Sequence, residues 1–387
     1  MARSLPQPVA MLRELVAVPS VSSARPELDQ GNRGVIDLLA GWAEDLGMAV
    51  EVLPVPGRPD KANLIATLGS GPGGLVLAGH TDTVPCNPDR WQTDPFTLSE
   101  RDGRLYGLGA ADMKGFFPLA LQVLGGLEPA DLHEPVLLVA TADEESSMSG
   151  ARALVEAGRP RARHAVIGEP TGLRPVRAHK GIMMEAVRLV GRSGHSSDPA
   201  YGKNALDGMH RVVGELLAWR EELQRRHSSP AFRVPVPTLN LGIIRGGDAP
   251  NRICGECEIQ FDLRPLPGME PEALRRELRE RLERALTGRG LELYTETLFP
   301  GTTPMATDPG AAIVQAAEEL TGHPAESVAF GTEGPYLADM GMETVILGPG
   351  DIDQAHQPDE YLAVDRLEPY TDLLRGLIGR LVLGGRG

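Results

Sequence analysis

Two histidines and a set of carboxylates stand where a bound cation can use them: His80 and Asp82 in Gly79-His80-Thr81-Asp82, Asp112 after the glycine-rich turn 107–109, Glu144 and Glu145 in Asp143-Glu144-Glu145, Glu169 after Gly168, and His356. Any one of them has an ordinary explanation as a helix cap, a loop charge or a structural histidine. Collected in one place without compensation they would repel one another, and a cation removes that repulsion. Mixed imidazole and carboxylate donors suit zinc or cobalt better than magnesium. Two such sets suggest a pair of ions roughly 3.5–4 Å apart sharing one carboxylate, for which Asp112 is the best bridging candidate. His80 and Asp82 are two residues apart at a strand end and share a side, so Asp82 is expected to fix the imidazole from behind. Adjacent Glu144 and Glu145 cannot both reach one metal easily; one ligates while its neighbour stays free as general base. His133, His164, His210, His227 and His323 lack such surroundings and are expected to be surface or structural residues.

The elements that must position these residues read as α/β. Apolar runs at 63–68, 75–78, 136–140, 165–167 and 344–347 are continuous rather than alternating, the pattern of strands buried on both faces of a mostly parallel sheet flanked by helices. Helical spacing appears at 8–18, 31–46, 115–127 and 149–157. The candidate ligands follow the strands, where open α/β sheets form their sites. A different texture fills 181–294: amphipathic helices at 204–225 and 271–286 alternate with half-polar strands at 184–190, 238–244 and 255–263, an α+β sandwich. Site motifs stand on both sides of it. A catalytic domain of 1–180 and 295–387, interrupted by an inserted domain of 181–294, is therefore expected.

Composition narrows the function classes. The chain has 387 residues, enough for two domains, with 41% hydrophobic and 24% charged residues, as in ordinary globular proteins. A net charge of -15 argues against a nucleic-acid partner, which would demand clustered cations. No apolar stretch is long enough to span a membrane, and the N-terminal segment carries Pro6, Pro8, Arg13 and Glu14 where an export signal needs an apolar run. Three cysteines, Cys86, Cys254 and Cys257, suit a reducing, cytoplasmic setting. Cys254 and Cys257 form a lone CxxC inside what alternates like a strand over 252–264, so their side chains are expected on opposite faces and without partners for a metal.

GHTDTVP (79–85), GAADMKG (109–115), ADEE (142–145), GEP (168–170) and GHSS (194–197) together resemble the M20 family of co-catalytic zinc peptidases and deacylases, over essentially the whole chain. ATADEESSMSGAR (140–152), PVRAHKG (175–181), GGDAPNRIC (246–254), DLRPLPGM (262–269) and LGPGDIDQAHQPDEYL (347–362) are most similar to the family's bacterial branch that deacetylates N-acetyl-L-ornithine. The resemblance implies two Zn2+ per subunit, with Co2+ as a substitute: His80, Asp112 and Glu169 on one, Asp112, Glu145 and His356 on the other, and Glu144 as the base. It implies a cis peptide after Asp112. It also implies a homodimer formed by the inserted domain, in which His195 reaches the partner's site as the donor to the reacting carbonyl. The substrate is then a small N-acyl amino acid, its carboxylate met by Arg264 and by Asn251 of the partner subunit, and its side-chain ammonium by Glu333. Succinyl-diaminopimelate desuccinylase, or a broad N-acyl-amino-acid deacylase or dipeptidase, is the alternative on the same scaffold.

Overall fold

The computed structural model describes residues 5–383, which form two compact units, residues 5–177 with Thr307–Glu326 and 332–383, and Ala178–Ala306 with Ser327–Gly331. The first unit is built on a mixed sheet in the order Ala49–Val55, Arg58–Leu68, Val136–Thr141, Leu75–His80, His164–Ile167, Glu343–Ile346 and Val176–His179, the last being the strand on which the chain leaves this unit. The four middle strands are mutually parallel and the outer ones antiparallel. Every residue of Leu75–His80, Val136–Thr141 and His164–Ile167 is buried, which is why these segments read as unbroken apolar runs. Helices cover the sheet through apolar stripes at helical spacing: Val35, Ile36 and Leu39 of Arg33–Asp45, and Leu374, Leu377 and Ile378 of Leu367–Leu381. Strand Ala49–Val55 has no counterpart among the expected elements. It lies at the sheet edge and is mostly half-exposed, so it lacks the apolar run that marks its neighbours. No helix among the described residues is long and apolar enough to cross a membrane.

The second unit is an antiparallel sheet in the order Thr238–Gly246, Glu256–Arg264, Ile182–Val190 and Glu292–Thr302, with helices Ala205–Arg226 and Pro271–Leu286 packed on it. From Cys257 onward, strand Glu256–Arg264 alternates between buried and half-buried residues, and Ile259, Phe261 and Leu263 join Trp219, Leu216, Leu278 and Leu282 in one core. The strand starts only at Glu256, so the two cysteines do not project from opposite faces. Cys254 precedes it, turns inward and donates to the Glu256 carbonyl at 3.1 Å, and both thiols lie in the same apolar core. All three cysteines are free.

His179 is fully buried with Nδ1 2.8 Å from the Lys180 carbonyl, and burial pushes its imidazole down to about 4. A histidine held neutral in this way stabilises the fold fully above its unfolded pKa of roughly 6.5; that contribution is lost as pH falls towards 4. At 1.36 kcal/mol per unit the loss is about 3 kcal/mol. Denaturant titrations of His179→Asn, which keeps a donor for that carbonyl, should show a shallower decline in stability between pH 6.5 and 4 than wild type. An unchanged slope would mean that other groups set the acid limb.

Candidate metal centre

The parallel strands end on one level. Ala78 pairs with Ile167, and Ile167 with Ile346. His80 and Glu169, each two residues further on, therefore emerge side by side, with Nε2 and Oε1 3.7 Å apart. Close packing under these ends admits only glycine at two points. A Cβ on Gly168 would lie 2.1 Å from the Phe116 ring, and one on Gly348 would lie 2.2 Å from the carbonyl oxygens of Gly168 and Glu169. Glu144 and Glu145 follow Val136–Thr141, and the loop after Glu343–Ile346 delivers His356 in the left-handed region at φ 61°. Asp112 comes from the turn before helix Phe116–Leu124, and the Asp112–Met113 peptide is cis.

These side chains meet. His80 Nε2 is 3.1 Å from Asp112 Oδ1, while His356 Nε2 is 2.9 Å from Glu145 Oε1 and 3.5 Å from Asp112 Oδ2. Asp112 thus lies between the two imidazoles. Donor atoms of His80, Asp112 and Glu145 lie within 4.8 Å of one another, as do those of His80, Glu144 and Glu169. His80, Asp112, Glu144 and Glu169 are all buried, whereas the His356 side chain is 53% exposed.

The electrostatics describe a cluster short of positive charge. Burial, then the neighbouring Glu169, push Glu144 well above the usual carboxyl range; burial, then Asp112, do the same to Glu169 and raise Glu145. Burial also acts to raise Asp112, but hydrogen bonds from His356 and His80 outweigh it and hold this carboxyl below its usual range. Burial disfavours the charged form of His80, yet the hydrogen bond to Asp112 and the charge of Glu169 raise it well above its ordinary value. His356 is raised to about 10 by its bonds to Asp112 and Glu145. Among the described residues no Lys or Arg forms an ion pair with Asp82, Asp112, Glu144, Glu145 or Glu169; the histidines alone do. Two imidazoles amid buried, unneutralised carboxylates are a donor set that divalent cations fit.

The surroundings hold the donors in place. His80 Nδ1 faces the Asp82 backbone carbonyl at 3.0 Å and the Asp82 carboxylate at 3.6 Å, leaving Nε2 for the centre. The Asp82 carboxylate takes the backbone N–H groups of Glu144 at 3.1 Å and Glu145 at 3.0 Å, so it grips the turn carrying both glutamates as well as standing behind the histidine. Asp143, just before them, is buried and accepts from Lys61, Ser22 and Ser149. Lys61 also donates to Asp29. Sequence reasoning singled out neither Lys61 nor Asp143, because a buried ion pair between segments 82 residues apart looks like two surface charges in a one-dimensional reading.

Glu333 is 2% exposed in the same unit. One carboxylate oxygen accepts from Thr141 Oγ1 at 2.7 Å and the other has no partner; burial raises this carboxyl. The remaining candidates belong to the second unit. His195 is exposed, its Nδ1 2.7 Å from Ser197 Oγ, and the adjacent Ser196 N–H donates to the carbonyl of exposed Asn251 at 3.1 Å. Arg264 is half-buried and pairs with Asp262 at 2.8 Å.

The profile described as Peptidase family M20/M25/M40 matches residues 76–380. The chain is 50% identical over 382 residues to acetylornithine deacetylase of Edwardsiella ictaluri (strain 93-146), with 98% of each chain covered. It is 45% identical over 382 residues to acetylornithine deacetylase of Pasteurella multocida (strain Pm70), covering 99% of this chain and all of that one. Among solved structures, the fold is similar to an M20 family metallo-carboxypeptidase from Sulfolobus solfataricus, with a TM-score of 0.76, 17% identity and coverage of 97% and 99%. It is also similar to a dinuclear metal-binding peptidase of family M20 from Bacillus subtilis, with a TM-score of 0.67, 17% identity and 96% of each chain covered. Matched by the family profile over most of its length, and close to half identical to relatives along nearly all of it, the chain belongs to peptidase family M20/M25/M40.

Proposed function

We propose that this protein is a metal-dependent amidohydrolase that cleaves N-acetyl-L-ornithine to L-ornithine and acetate, a step of arginine biosynthesis. The observation that carries the substrate is the near full-length identity of about half its residues to the Edwardsiella enzyme. The chemistry rests on the cluster itself. In this reading His80, Asp112 and Glu169 hold one cation and Asp112, Glu145 and His356 the other, with zinc or cobalt favoured by the mixed donors. The cations, when bound, lower the pKa of a water towards neutrality and polarise the acetyl carbonyl.

The chain's own residues do the rest. Glu144, buried beside His80 and Glu169, takes the proton of the attacking water and returns it to the departing amine nitrogen. Asp82 keeps Glu144 aimed through the backbone N–H that it accepts. His195 of a second copy supplies a donor to the developing oxyanion, which requires a homodimer; its exposure and its loop position support this role. Arg264 and Asn251 meet the substrate carboxylate, and Glu333, with one buried oxygen unpartnered, meets the ammonium. A cytoplasmic site of action fits the free thiols.

A substrate panel tests the reading: acetyl-ornithine, acetyl-methionine, succinyl-diaminopimelate and simple dipeptides, with zinc or cobalt supplied. The expected result is a kcat/KM for acetyl-ornithine at least about tenfold above the others. Preference for the succinyl substrate, or equal rates on all, would replace it with the alternative activity. His195→Ala should lower kcat by about 10²-fold with metal content unchanged. A rate within threefold of wild type would remove the residue from the reaction.

A further inference from the structure

Glu360 has no role in the chemistry above, yet it is 1% exposed and placed against the centre. Its Oε1 accepts the backbone N–H of Ala111 at 2.8 Å and of Asp112 at 3.0 Å, and its Oε2 accepts that of Gly109 at 3.1 Å. Its own carbonyl accepts the N–H of Gly107 at 3.1 Å. One residue therefore satisfies four main-chain donors of the turn that presents Asp112, from a position four residues beyond His356. The two segments are joined again alongside, because strand Tyr361–Ala363 pairs antiparallel with Arg104–Tyr106 and Leu362 packs with Leu105 and Ala110. The far side of the turn is anchored by the buried ammonium of Lys114, which donates to the carbonyls of Leu15 at 3.0 Å and Val18 at 2.9 Å.

A buried carboxyl group with this many main-chain donors is a stiff connection, since breaking it would leave several buried N–H groups unpaired and no water replaces a lost partner. It links the loops of Asp112 and His356, whose side chains stand 3.5 Å apart. His80 and Glu169, in contrast, are set by parallel strand ends and need no such link.

We propose that Glu360 is a positioning residue: it clamps the Asp112 turn to the His356 loop and so fixes the cation position that Asp112, Glu145 and His356 form, with less influence on the position that Asp112 shares with His80 and Glu169, two ligands already set by strand ends. The proposal rests on the ligand assignment given under Proposed function. It predicts selective damage. In Glu360→Gln the amide keeps the side-chain volume but must turn an NH2 group towards one or more of the N–H donors.

The test is a titration of metal-free wild type and metal-free Glu360→Gln with Co2+, followed by calorimetry and by the visible absorption of the bound ion, alongside kcat and KM at rising metal concentration. Wild type should take up two equivalents. The variant should bind the first equivalent within threefold of wild type and the second about ten- to a hundredfold more weakly, the range seen when partners of metal ligands are removed. Excess metal should restore most of kcat, with KM unchanged. Combining Glu360→Gln with His356→Ala should weaken the second equivalent little beyond His356→Ala alone, because both changes act on one position. If Glu360→Gln does not fold, Glu360→Asp, whose shorter carboxylate cannot span the same donors, is held to the same criteria. Two equivalents bound as in wild type, equal weakening of both, or a kcat deficit that excess metal leaves untouched would each overturn the clamp. A wild type that binds fewer than two equivalents would overturn the ligand assignment itself, and the clamp with it.

Discussion

Replacing Glu144 by Gln is expected to lower kcat by about 10³-fold, or about 4 kcal/mol in activation free energy, while the metal content stays at the wild-type level. The glutamine has the same shape and can still occupy the buried position beside His80 and Glu169, but it cannot accept a proton from water or pass one to the departing amine. Stability should not suffer. Burial and the charges of Glu169 and Glu145 already disfavour the ionised form, and a neutral amide relieves that repulsion. The grip of Asp82 on the Glu144 backbone N–H is untouched by the change. The measurement pairs steady-state kinetics with metal analysis by emission spectrometry, because the position of Glu144 near His80 and Glu169 also lets it act as a ligand. Loss of bound metal in the variant would reassign it as one, and a rate within tenfold of wild type would exclude it as the base.

Removal of metal should abolish turnover. Without a cation the attacking water keeps its ordinary pKa of 15.7 instead of one near 7, a difference of about eight powers of ten in available hydroxide that no buried carboxylate supplies. Dialysis against a chelator, then readdition of zinc or cobalt, should switch activity off and on, and Asp112→Asn should stay inactive at all metal concentrations because Asp112 contacts both imidazoles. The metal-free protein should also be less stable, since among the described residues the carboxylates of the centre form ion pairs only with histidines. Metal at a thousand times its dissociation constant contributes about 4 kcal/mol, which should raise the melting temperature by roughly 8–16 °C in a unit of this size. Binding must displace the proton that Asp112 and Glu145 hold on His356 up to about pH 10, so apparent affinity should rise with pH through the neutral range. Turnover that survives complete metal removal would refute the reading.

The placement of the candidate donors was legible because it is local. A strand buried on both faces shows up as a continuous apolar run, and whatever follows it lies at the sheet's carboxyl edge; His80, Glu144, Glu145 and Glu169 each follow such a run within a few residues. Strand Ala49–Val55 escaped the same reading because an edge strand buries too little for its pattern to speak. Cys254 was misplaced by extending an alternation two residues beyond the first strand residue, Glu256, into a loop that turns back on the core.

Apolar periodicity reports which faces are buried, so the sequence by itself determined the α/β architecture, the strand ends and the kinds of donor gathered at them. It is silent about charges that are buried because something far along the chain pairs with them. Asp82 grips the N–H groups of Glu144 and Glu145 from 62 and 63 residues away, Lys61 reaches Asp143 across 82, and Glu360 holds the Asp112 turn across 248. In one dimension Lys61 and Glu360 look like solvated surface charges, and Asp82 shows its tie to His80 but not its hold on the glutamate turn. Only the tertiary structure decided that they are the supports of the site, because a hydrogen bond depends on where two atoms come to rest, and closing loops of that length leaves no periodic mark in either segment.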